Sequence, residues 1–214
     1  MDADHADGIV LRRQPVTETS LIVTWYTRQF GKLKTIAKGA RRAKGPFLGR
    51  IDLFFEEEIV IVRSRRSDLH ILHECAVTRY RQGFRGHPDR LASGSYACEL
   101  VDLGTEVEDP HPSIYELLTV TLDALESRPG AVTLLWFEMQ LLAMLGWKPN
   151  WKHPTPATRM LASLSSATLD GSRRIRLTPS QLTDTRATLW ALTDEHLGKP
   201  PRSRRFLSLD PVNR

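Results

Sequence analysis

Gly8 to Arg42 reads GIVLRRQPVTETSLIVTWYTRQFGKLKTIAKGARR, and its alternation decides the fold of the first part of the chain. Ile9–Arg13, Ser20–Thr27 and Lys32–Lys38 are rich in β-branched and aromatic residues, with a break at Gly31, and each reads as a strand. Leu21, Val23 and Trp25 share one face of the second strand, and Leu33, Thr35 and Ala37 one face of the third. These faces should point into a core. The opposite faces carry Thr24 and Tyr26 on one strand and Lys32, Lys34, Ile36 and Lys38 on the other, a cationic row beside a ring that is expected to face outward.

Two further strands are expected at Arg50–Arg63 and Asp68–Glu74, set off by the loop between Gly39 and Gly49 and by the polar RSRRS turn. Five short strands predict a small barrel, with the OB-fold as the leading form. Past residue 85 the apolar period becomes helical: Tyr96, Leu100, Leu103 and Val107 fall on one face, then Ile114 to Leu125, then Val132 to Leu142. Ser113 with Glu116, and Thr178 with Pro179 and Gln181, read as capping boxes. A short helix is expected at Pro156–Ser165, and a final one at Ser180–Leu197, stopped by Gly198 and Pro200. The class is therefore α+β: an N-terminal five-stranded OB-fold barrel over residues 1–80 and an all-helical C-terminal domain over 81–214.

The barrel's cationic row continues into TIAKGARRAKGPF, Thr35–Phe47, and no acidic residue occurs from Thr19 to Ile51. OB-folds bind oligonucleotides on the face of strands two and three and on adjoining loops, where cations track phosphates and rings stack on bases. Tyr26, Lys32, Lys34, Lys38, Arg41, Arg42 and Lys44 are accordingly the candidate nucleic-acid-binding residues, with Gly39 and Gly45 expected to let the backbone approach the ligand. The formal charge of +5 fits a polyanionic partner. Trp147, Lys148, Trp151 and Lys152 interleave rings with charge, a pattern that closes a helical core more often than it stacks bases.

Catalysis finds little support. Glu56 and Glu58 share a strand face but lack an accompanying histidine or lysine at a nuclease spacing, and His70, His73 and Cys75 are split by strand alternation. Neither a phosphate-binding G-x-x-x-x-G-K-[ST] loop nor a G-x-S-x-G elbow is present, so no enzyme activity and no cofactor are expected. Two cysteines without CxxC spacing suit a reducing compartment, and the acidic start MDADHADG is unlike a signal peptide. A cytoplasmic, nucleoid-associated protein without membrane contact is expected.

The opening stretch, with Glu18–Thr19–Ser20, Thr27 and Gly31, and Ala37–Arg41, resembles the N-terminal barrel of the bacterial RecO recombination mediators. WFEMQLLAMLGWKPNW resembles that family's R-F-E-L-x-L-L-x-x-L-G-Y helix, and LGKPPRSRRFL its terminal G-K-x-x-x-S-R motif. The resemblance implies a protein that binds single- and double-stranded DNA, anneals complementary strands and works with RecR to load RecA where single-strand-binding protein covers DNA. It implies the tail of single-strand-binding protein as a partner of the helical domain, and leaves RecF and RecA as further candidates. Many members carry a four-cysteine zinc site after the L-G-Y helix. Asn150–Arg176 contains no cysteine, so a degenerate, zinc-free region is expected there, held by other packing. Trp136 stands where the family usually has arginine. An OB-fold RNA-binding or ribosome-associated protein is the alternative that the barrel alone would permit.

Overall fold

The computed structural model describes residues 3–207 except 129, 148, 150 and 152. Five strands, β1 Ala3–Pro15, β2 Leu21–Thr27, β3 Gly31–Ala37, β4 Glu56–Val62 and β5 Leu69–Arg79, close a barrel in the order β1-β2-β3-β5-β4. Neighbours are antiparallel except β3 and β5, which pair in parallel through Lys34–Leu69, Thr35–His70 and Ile36–Ile71. The inward faces are those the alternation predicts: Leu21, Val23, Trp25, Leu33, Thr35 and Ala37 are buried. Trp25 donates its indole N–H to the Thr35 hydroxyl at 2.8 Å, so the one polar atom of the ring is satisfied inside the core.

The expected strand from Arg50 forms only from Glu56. Phe54 adopts a left-handed φ of 69°, and Phe54 and Phe55 are both buried, which consecutive positions of one flat strand facing solvent on one side could not achieve.

Among the described residues six α-helices follow: α1 Pro88–Gly104, α2 Pro112–Ser127, α3 Ala131–Met144, α4 Pro156–Ser166, α5 Leu169–Arg174 and α6 Pro179–Leu197. The Thr178 hydroxyl accepts from the Gln181 N–H and the Gln181 side chain answers on Thr178, the expected capping box, and α6 ends at a left-handed Gly198. Ser113 lies inside α2 and not at its cap position, because the helix begins one residue earlier with proline, a natural first helical residue. Glu116 is engaged by Arg28 instead, at 2.8 Å. The cysteine-free segment forms α4 and α5, the latter unforeseen. Side chains of α3 hold it, Trp136 donating to the Ala167 carbonyl at 2.9 Å and Gln140 to Leu164 and Ser165.

The chain divides into two compact units, one comprising the residues up to Arg81 with Thr105–Glu116, the other Gln82–Gly104 and the residues from Leu117 onward. Val107, expected on the first helix, therefore lies in a strap of the barrel unit, beside Lys32. The Glu108 N–H donates to the Lys32 carbonyl at 2.9 Å, and His70 Nε2 lies 2.6 Å from the Glu108 carboxylate. The Ser64 N–H points at His70 Nδ1, which fixes that nitrogen as an acceptor and places the ring proton on Nε2, toward Glu108.

Gly31 is the tightest point beneath the strap. Its φ is +66°, and a Cβ there would sit 2.2 Å from the Asp109 carbonyl oxygen. Gly31→Ala is expected to destabilise the barrel by about 3 kcal/mol, combining left-handed strain with a forced backbone shift. Urea unfolding measures this; a loss below about 0.5 kcal/mol would show that the strap yields freely.

Candidate nucleic-acid interface

The pairing Leu21–Ala37 brings the end of β3 beside the start of β2, so the loop after β3 and the β1–β2 loop lie side by side. Between them is a cleft of about 470 Å³ lined by Lys38, Arg42 and Lys44, by the hydroxyl residues Thr17, Thr19 and Ser20, and by Ile36 and Pro46. The two loops are stitched together by Arg41, which donates its backbone N–H to the Thr19 carbonyl and a guanidinium N–H to the Thr17 carbonyl, both at 3.0 Å. Successive turns, Arg42 N–H to Gly39 and Gly45 N–H to Arg42, each 3.0 Å, shape the cationic loop. These bonds give the loop rim of the cleft its form.

Lys38, Arg41, Arg42 and Lys44 are exposed, and none is paired with a carboxylate among the described residues. This follows from the acid-free run Thr19–Ile51 and concentrates positive charge on the loop, which favours an anionic ligand. At Gly45 a Cβ would come 2.3 Å from the Gly39 carbonyl oxygen, so the missing side chain lets the loop close on itself.

Lys34 is half-buried on the outer face of β3. Tyr26 and Lys32 depart from the expectation of exposure: Tyr26 is 0% and Lys32 8% exposed. The strap is the reason. Tyr26 donates its hydroxyl to the His111 carbonyl at 3.4 Å and Lys32 its ammonium to the Thr105 carbonyl at 2.6 Å. Burial pushes the Tyr26 phenol up to about 12, against the lowering effect of its bond to His111. A ring so enclosed offers no stacking face. The hydroxyl residues of the β1–β2 loop, in contrast, are absent from the sequence-derived set, although the E-T-S segment marks their place.

The carboxylates of β4 are dispersed. Glu56 accepts from Tyr115 and Arg81, each at 3.0 Å, while Glu57 faces the core and Glu58 faces solvent. Among the described residues no group of three or more His, Cys, Asp or Glu side chains could hold a metal ion. In the helical unit two of the sequence motifs are structural. Glu138 is buried, accepting from the Tyr96 hydroxyl at 2.9 Å and from the Thr193 hydroxyl. Glu99 accepts from the backbone N–H groups of Arg202 and Ser203, at 2.9 and 2.7 Å, and Arg204 pairs with Asp194 at 2.8 Å. Burial works to raise the Glu99 carboxyl, but the Ser203 hydroxyl, followed by the Ser203 and Arg202 backbone N–H groups, holds it below the ordinary range. Trp147 stacks on His196, while Lys148 and Lys152 lie outside the described residues.

The fold and the cleft define an OB-type barrel protein with a cationic loop site and an appended helical unit. Residues 1–81 match the family model "Recombination protein O N terminal", and residues 85–155 match "Recombination protein O C terminal". The chain belongs to the RecO family. It is 38% identical over 156 residues to the DNA repair protein RecO of Rhodopirellula baltica, covering 71% of this chain and 57% of that one. The RecO proteins of Syntrophus aciditrophicus and Listeria monocytogenes are 34% and 31% identical, covering 67% and 69% of this chain and 56% and 57% of their own. The chain spans a little more than half the length of the curated relatives it matches.

Proposed function

We propose that this chain is a DNA-binding recombination mediator of DNA repair, which binds and anneals single-stranded DNA and, with RecR, helps load RecA onto DNA coated by single-strand-binding protein. The observation that carries the reading is the cleft at the end of β3, where exposed Lys38, Arg42 and Lys44 face hydroxyl residues and none of the three is paired with a carboxylate among the described residues. Cations and hydroxyls gathered on one rim are what a phosphate backbone requires. Membership of the RecO family favours DNA over RNA as the polymer. The helical unit would take the acidic tail of single-strand-binding protein, with RecF and RecA as further partners in the cytoplasm. Among the described residues no helix is long and apolar enough to cross a membrane.

Fluorescence anisotropy of labelled single-stranded DNA across a salt series tests this reading. Affinity should fall with salt, the logarithmic slope steepening by about 0.7 for each phosphate contacted. Cations that act together should give a slope of about −2 or steeper. A salt-independent affinity, or tighter binding to RNA of the same sequence, would overturn the reading. The acidic tail peptide of single-strand-binding protein, added in the same assay, should bind without displacing the DNA.

A further inference from the structure

We infer that the cleft holds nucleic acid by its sugar-phosphate backbone alone and leaves the bases uncovered, an inference that rests on the DNA-binding reading above. Among the described residues no aromatic side chain lines the cleft. Phe47, the ring nearest in sequence, is 5% exposed and belongs to the barrel core, and Tyr26 is closed under the strap. Ile36 and Pro46 supply the apolar lining, and neither has a π-face on which a base could stack.

The polar groups of the rim point the same way. The Thr17 hydroxyl oxygen accepts from the backbone N–H groups of Thr19 and Ser20, at 3.3 and 3.0 Å. Both of its lone pairs are thereby engaged, and its proton is what it has left to offer. Lysine and arginine likewise donate and cannot accept. Apart from the Thr19 and Ser20 hydroxyls, which can donate or accept, the polar side chains of the rim only donate, and such a rim matches phosphate oxygens, which only accept, better than the amino groups of adenine, cytosine or guanine. A strand gripped in this manner presents its pairing edges to solvent and can meet a complement without first being released.

The test compares the full chain's affinity for two labelled oligonucleotides of equal length and phosphate count, one of thymidine and one of abasic tetrahydrofuran spacers. A stacked base contributes roughly five- to a hundredfold in affinity, so a base-reading site would lose most of its binding on the abasic strand. Equal affinity, within about threefold, is the expected result. Thymidine binding with a tenfold or greater loss on the abasic strand would overturn this inference while leaving the DNA-binding reading intact. Binding to neither strand would overturn both. Permanganate oxidation supplies a second measurement: thymines of the bound strand should react as fast as free ones, and protection of them would also overturn the inference.

Discussion

Reversal of Lys38, Arg42 and Lys44 to glutamate in one chain is expected to lower the affinity for single-stranded DNA by at least about a hundredfold at low salt and to flatten the salt slope by about 2. Three cations become three anions on the rim of one cleft, so the field seen by a phosphate changes sign and does not merely weaken. The fold should be untouched. All three side chains are exposed, and none is paired with a carboxylate among the described residues, so circular dichroism and melting temperature should match the parent protein. Arg41 is left in place deliberately, because its guanidinium ties the two loops together through the Thr17 carbonyl. Reversal of Arg65 and Arg66, exposed on the β4–β5 turn and outside the cleft, serves as the control and should change affinity by less than about threefold. Loss of binding in the control with none in the triple variant would move the interface to that turn.

Glu57→Gln is expected to stabilise the barrel, and to do so only toward neutral and higher pH. Glu57 is 0% exposed, and among the described residues no hydrogen bond of ordinary geometry reaches either carboxylate oxygen. Burial raises its carboxyl from the ordinary 4.5 to about 7, with the Cys75 thiol and the Arg50 guanidinium acting in the lowering direction. Because the folded value lies above the unfolded one, the stability is complete below 4.5 and is lost as pH rises through 7. Removing the charge should therefore recover up to about 3 kcal/mol at about pH 8 and almost nothing at about pH 4. Glu138 is raised to the same value in the helical unit, chiefly by burial, so the variant retains a pH slope of its own. Urea unfolding of both proteins across pH reads the difference; a gap that does not vary with pH would mean that Glu57 keeps its charge in the folded state.

The parts legible in the sequence are those determined by near neighbours. Alternation along β2 and β3 names the inward faces correctly, because a strand's two faces follow from a period of two and from nothing further away. The cap at Thr178 and the stop at Gly198 are equally local. Phe54 and Phe55 mislead, since two consecutive apolar residues fit a strand pattern until a left-handed turn buries both. The exposure of Tyr26 and Lys32 could not be read in this way at all. Their covers, His111 and Thr105, lie 85 and 73 residues further along, and no local period carries that information. Within the site, the acid-free run pointed to the loop, yet charge alone could not separate Arg41, which fastens the loop, from Lys38, Arg42 and Lys44, which line the cleft.

The strap bears on how this protein can be dissected. A fragment ending at Arg81 would retain all five strands but lose Thr105–His111, stripping the cover from Tyr26 and Lys32. It would then display a ring beside an ammonium group, the combination that single-stranded nucleic acid prefers and that the intact chain keeps enclosed. Shortening the protein at its strand-to-helix boundary would create a binding surface of its own, and affinities measured on such a piece would describe the cut as much as the cleft.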